Sequence, residues 1–231
     1  IGLTLVPGSK QVRANPTWES SRLHKWNEAN LDQEVTDAYF LTEINGTSGT
    51  ARSMFSALEK DSRLEFVRPL SEKELYERVL AILKAAETDG VEASGLRLGR
   101  LFDLNRNTHE LYLKDEELGP SAAQTLAFAL KSNTTISSLC LDKNAVGPEG
   151  GLALAEALEC NSYLRELHLY GTKLGAIGGQ ALLGALRPGR NTTLEVLNVG
   201  NCQLGPEGGW AVAAALASGA CPLQALRIQS N

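Results

Sequence analysis

The second half of this chain repeats itself, and that constrains its fold more than any other feature. The segments THELYLKDEELGPSAAQTLAFAL from Thr108, ISSLCLDKNAVGPEGGLALAEAL from Ile136, LRELHLYGTKLGAIGGQALLGAL from Leu164 and LEVLNVGNCQLGPEGGWAVAAAL from Leu194 align residue for residue. A fifth segment, LQALRIQSN from Leu223, reaches the last residue given. The second leucine of each unit falls at Leu111, Leu139, Leu167, Leu197 and Leu226, at spacings of 28, 28, 30 and 29. A unit this short cannot bury its apolar residues alone, so it must share a core with its neighbours.

Each unit reads as one strand and one helix. The motif L-x-L alternates with period two and directs both leucines to one side of a short strand. Glu116, Asn144, Thr172 or Cys202 then marks a bend, and a leucine or valine and a glycine follow. Small polar side chains at such a bend bond nearby backbone. Pro120, Pro148 and Pro206 suit a first helical turn. Small residues three and four positions after the glycine, then apolar ones at seven and eleven, form one helical face. The small residues are expected to let the helix approach its strand.

The pattern LxxLxLxx(N/T/C)x(L/V)Gxx(G/A)(G/A) resembles a leucine-rich repeat of the ribonuclease-inhibitor type, over residues 108–231. The first unit departs from it by carrying Glu116 at the bend. The resemblance implies an α/β solenoid: a curved parallel sheet with outer helices and a concave strand face. It implies protein partners in a cytoplasmic setting, with cytoskeletal and ciliary machines included and organelle import left open.

Residues 1–107 do not repeat. They hold 14 basic and 16 acidic residues, so they are no charged arm. Residues 1–70 are expected to form an extended or loosely structured arm, with short helices near 21–30 and 51–60. Residues 71–107 are expected to be a helical cap over one end of the solenoid. Its surest helix spans 71–86, with a Ser71–Glu74 capping box, the stripe Leu75, Val79, Ile82, Leu83 and Ala86, and an end at Asp89-Gly90. Residues 97–104 read as the helix of a half-repeat. The last unit stops inside its bend, so either more chain follows or a partner covers that end. At the other end, Ile1 in place of Met means a removed leader or an incomplete start.

Composition excludes several functions. Lys plus Arg number 22 and Asp plus Glu 27, so no basic excess favours nucleic acid. No apolar stretch is long enough to span a membrane. Cys140, Cys160, Cys202 and Cys221 form no CxxC pair, which removes the local zinc signature and favours reducing conditions. His24, His109 and His168 lack metal-binding spacing, and no phosphate-binding loop or nucleophile elbow occurs. No cofactor, metal or catalytic residue is expected. The triplets at Asn45, Asn133 and Asn191 fit the glycosylation sequon, but turn chemistry explains the last two better.

The expected function is therefore a non-catalytic scaffold or adaptor subunit of a hetero-oligomeric assembly. Its candidate contacts on the strand face are Tyr112, Lys114, Cys140, Asp142, His168, Tyr170, Asn198 and Arg227, with Cys140 read as exposed. Trp18 and Trp26 are candidate anchors on the arm, since aromatic residues dominate interfaces; folding back on the solenoid is the other reading. Two alternatives come from proteins with similar repeats: a GTPase regulator resembling Ran GTPase-activating protein, and a ligand sensor resembling a Nod-like receptor.

Overall fold

The computed structural model describes residues 3–5, 12–14, 40–44, 64–67, 70–105, 107–187, 189–217 and 221–231. The chain divides into two compact units, Ile1–Ser71 and Glu72–Asn231. In the first, β1 (Leu3–Leu5), β2 (Val12–Ala14), β3 (Phe40–Ile44) and β4 (Leu64–Val67) form an antiparallel sheet in chain order. The register slips between Leu41 and Glu43, where β3 meets β4. Sequence alone gave no such pairing, because strands of three to five residues are too short to establish a period. The helices expected near 21–30 and 51–60 lie outside the described residues.

The second unit opens with α1 (Glu72–Lys84), α2 (Ala86–Asp89) and α3 (Val91–Leu104). The expected helix ends two residues early and turns at Ala85. Leu75, Val79, Leu83 and Ala86 of its stripe are buried, at 3% exposure or less. Gly90, at φ 85°, separates α2 from α3. The half-repeat helix is real and longer than expected. Its Ser94, Gly95, Leu98 and Phe102 lie 28 positions before Ala122, Ala123, Leu126 and Leu130, and all eight are buried.

The coils then alternate strand and helix: β5 (Glu110–Tyr112), α4 (Pro120–Leu130), β6 (Ser138–Cys140), α5 (Gly147–Cys160), β7 (Glu166–His168), α6 (Gly175–Gly184), β8 (Val196–Asn198), α7 (Gly205–Leu216) and β9 (Ala225–Arg227). The five strands β5 to β9 are parallel and in chain order, with Leu111, Leu139, Leu167, Leu197 and Leu226 in register. This is an α/β leucine-rich-repeat solenoid. Leu139, Leu167 and Leu197 are fully buried, as are Leu113, Leu141, Leu169 and Val199 of the next inward row. Burying each such side chain contributes roughly 1.5–3 kcal/mol, so the shared core dominates the coil stack.

Two details depend on close approach. A Cβ at Gly151 would lie 2.8 Å from Gly178 Cα, and one at Gly179 only 2.4 Å from Leu204 Cδ2. The small residues at these two positions admit the next coil, whereas Gly150 and Gly208 would meet Val146 Cγ1 and Leu204 Cβ of their own coils at 2.7 and 2.4 Å. Gly147, Gly175 and Gly205 adopt φ of 67°, 62° and 63°, where a side chain is strained, whereas Gly119 of the entry unit sits at φ −88°.

Candidate functional site: the strand face

Two asparagine systems hold the strand face in shape. Before the strands, Asn161 Nδ2 donates to Leu130 O (2.7 Å) and Asn133 O (3.0 Å) of the preceding coil. Its Oδ1 accepts from the N–H groups of Tyr163 and Leu164. Asn191 repeats all four bonds one coil later, to Leu158 O, Asn161 O, Thr193 N and Leu194 N. Asn133 and Asn191 are 8% and 4% exposed, with their amides engaged, so neither sequon presents a free amide for glycosylation.

After the strands, Asn144 accepts from Glu116 N and Leu118 N and donates to Leu113 O and Leu141 O. Asn231 does the same for the final bend, accepting from Cys202 N and Leu204 N and donating to Val199 O and Ile228 O. Thr172 Oγ1 donates to Leu169 O at 2.6 Å, and Cys202 Sγ reaches that same carbonyl at 2.8 Å. Cys202 is thus a bend residue, fully buried and built into the coil.

Glu116, the exception in the pattern, has a structural reason. Its carboxylate accepts the Tyr76 hydroxyl of α1 and lies 3.7 Å from Lys84 Nζ. At this bend the neighbour on one side is the helical cap, and the side chain is suited to it. The Glu116 carboxylate and partial burial push the Tyr76 phenol up to about 12.

Parallel register brings the candidate residues into rows. Tyr112, Cys140, His168, Asn198 and Arg227 face one another across consecutive strands. Tyr112 is 62% exposed, Lys114 and Arg227 are exposed, and Asp142, His168 and Tyr170 are half-buried. Asp142 Oδ1 accepts the Tyr170 N–H at 2.7 Å, which ties adjacent coils together. His168 Nε2 lies 3.5 Å from Glu166 Oε2, which also accepts from Ser138 Oγ. A Cβ at Gly200 would meet Gln229 at 2.8 Å and the Tyr170 ring at 3.0 Å, so the missing side chain there lets the two pack over the strand.

Two candidates are corrected. Cys140 is buried at 7% exposure and Asn198 at 8%, so neither is an exposed contact. Side chains converge on a concave surface, and these short ones stand in register between longer neighbours. Asn198 Oδ1 is spent on the Gly200 N–H. Burial pushes the Cys140 thiol up, which keeps it protonated and a poor nucleophile. Trp18 and Trp26 lie outside the described residues. Sequence reading passed over Trp210, 72% exposed on α7, and Ile177, 60% exposed on α6. Helical spacing was the available signal, since both fall off the buried face.

Hollows of about 400 and 260 Å3 lie on the helical side, between α4 and α5 and between α5 and α6. Both are open grooves. Lys131 and Glu156, 3.2 Å apart, line the first, and the paired Glu159 and Arg190 line the second. Among the described residues no group of His, Cys, Asp and Glu is placed to hold a metal ion, and no helix is long and apolar enough to cross a membrane.

A family model described as Leucine Rich repeat matches residues 132–155, 160–183 and 190–213. These segments are leucine-rich repeats. Each match runs from the end of one helix through a strand and bend into the next helix, as the coil geometry does. No curated protein matches the chain. Among solved structures, leiomodin-1 actin-binding site 2 is similar at 24% identity and a TM-score of 0.44, covering 65% of this chain and 90% of that one.

Proposed function

We propose that the chain is a non-catalytic protein-interaction module that serves as a scaffold or adaptor subunit of a larger assembly. Its contact surface is the strand face around Tyr112, His168 and Tyr170. One observation carries this reading: an ordered aromatic and polar row stands on a surface that no element of the solenoid covers, with Tyr112 62% exposed. Aromatic residues held rigid by a sheet lose little conformational freedom on binding, and interfaces favour them. Lys114, Asp142 and Arg227 supply a polar surround.

The Tyr112→Ala, His168→Ala, Tyr170→Ala triple variant is expected to lose partner capture by at least about tenfold while keeping its helical signal and melting temperature. Undiminished co-purification of partners would reject the strand face as the contact surface.

A further inference from the structure

The outward side chains of the β6 coil are short, and those of the coils beside it are long. Ser138, Cys140 and Asp142 stand in register between Glu110, Tyr112 and Lys114 of the preceding coil and Glu166, His168 and Tyr170 of the following one. Neighbouring strands lie about 4.8 Å apart, so these two walls stand about 10 Å apart, with room for one side chain between them. Cys140 is 7% exposed at the floor and Tyr112 is 62% exposed on the wall. The result is a trough along β6, and its two ends differ in charge. At one end Lys114 and Asp142 are opposite in sign, and Asp142 accepts the Tyr170 N–H. At the other end Glu110 and Glu166, both exposed, flank Ser138. Ser138 Oγ donates to Glu166 Oε2 at 3.2 Å, and His168 Nε2 lies 3.5 Å from the same oxygen. Among the described residues no lysine or arginine pairs with either carboxylate, and Arg165, next to Glu166, is taken by Glu195.

A protein resting on the strand face therefore meets two carboxylates without a countercharge, beside an exposed ring. We propose that the occupant of the trough is an arginine side chain on a basic segment of the partner. This rests on the strand-face reading and adds the partner's chemistry to it. Glu110 and Tyr112 face the same way, roughly 7 Å apart along the strand. An arginine stem can thus cross Cys140 against the Tyr112 ring while its guanidinium lies between Glu110 and Glu166. The planar fork of the guanidinium bonds carboxylates in pairs, and its weak hydration suits contact with an aromatic face. A lysine ammonium offers a point charge and loses more hydration there. The chain's net charge of −5 favours the approach of a basic segment, and an acidic one would be repelled at Glu110 and Glu166.

Nuclear magnetic resonance titration of the isotope-labelled full chain tests this, with short glycine–serine peptides that carry one central arginine, lysine or citrulline. The arginine peptide should shift the amides of Tyr112, Ser138 and Cys140 and saturate below about 10 mM. The lysine peptide should bind about threefold more weakly, and the citrulline peptide, which keeps the shape and loses the charge, should shift nothing. Glu110→Gln, Glu166→Gln and Tyr112→Ala should each weaken arginine binding about fivefold. Glu156→Gln removes the same charge from the helical side and should change nothing. All four side chains are exposed, and circular dichroism checks that the fold survives. In partner capture, the Glu110→Gln, Glu166→Gln double variant should lose about tenfold. Capture lost in the Tyr112, His168, Tyr170 triple variant but intact in this double variant would leave the strand face standing and overturn the arginine. Equal shifts with arginine and citrulline, or arginine binding indifferent to both glutamate substitutions, overturn it as well.

Discussion

The two edges of the sheet solve the same problem differently. Each coil reverses direction before and after its strand, and each reversal leaves backbone groups that need partners away from water. Before the strand the residue is asparagine in the first four units: Asn105, Asn133, Asn161 and Asn191 follow at spacings of 28, 28 and 30, and the fifth unit carries Ala220 there. After it the residue drifts through Glu116, Asn144, Thr172, Cys202 and Asn231. The first edge spans two coils through a single amide, so Asn161 must reach two carbonyls of the coil before and two N–H groups of its own. Only a short side chain with both donors and acceptors does that. Backbone bonds join the coils at both edges: Ser138 N donates to His109 O and Glu166 N to Ser137 O before the strands, and Gly147 N to Thr172 O and Gly175 N to Cys202 O after them. At the second edge a hydroxyl or a thiol is enough at two bends, where Thr172 Oγ1 and Cys202 Sγ each reach Leu169 O.

That contrast can be broken at either edge. Asn161→Leu would strand up to four buried polar groups, and a loss of about 3 kcal/mol or more is expected in urea unfolding. Tyr76→Phe removes a charge-assisted bond to Glu116 where the bend meets the cap, with an expected cost of about 1.5 kcal/mol. The folded protein holds the phenol proton more tightly than the unfolded chain does. The wild-type advantage over Tyr76→Phe should therefore be full below about pH 10 and fall as pH rises through about 12. A pH-independent difference between the two would show that the hydroxyl contributes through packing alone. Thr172→Val keeps the shape and loses the bond to Leu169 O, so about 1 kcal/mol is expected, read as a small drop in melting temperature. Should Thr172→Val cost as much as Asn161→Leu, the two edges are equivalent and the contrast fails.

Much of the solenoid was legible before any coordinates. The leucine period places Leu139, Leu167 and Leu197 in one core, and that core is where they lie. Cys202 was readable as a bend residue because its position matches Asn144 and Thr172. The strand face was legible only as an alternation. Period two says that Cys140 and Asn198 point the same way as Tyr112 and His168, but not that convergence on a curved sheet buries them. Exposure depends on the height of neighbours one coil away, which no local pattern records. The sheet of the first unit was missed because strands of three to five residues carry too few positions to show a period.

The sequence by itself determined the coil: its length, its buried leucines and its bend asparagines, because those follow from local periodicity and side-chain chemistry. The tertiary structure alone decided which positions each coil leaves to solvent. It shows why Glu116 belongs at the entry, facing Tyr76 and Lys84. The physical reason is that burial belongs to pairs of neighbouring coils, and the pattern within one coil does not record what its neighbour presents.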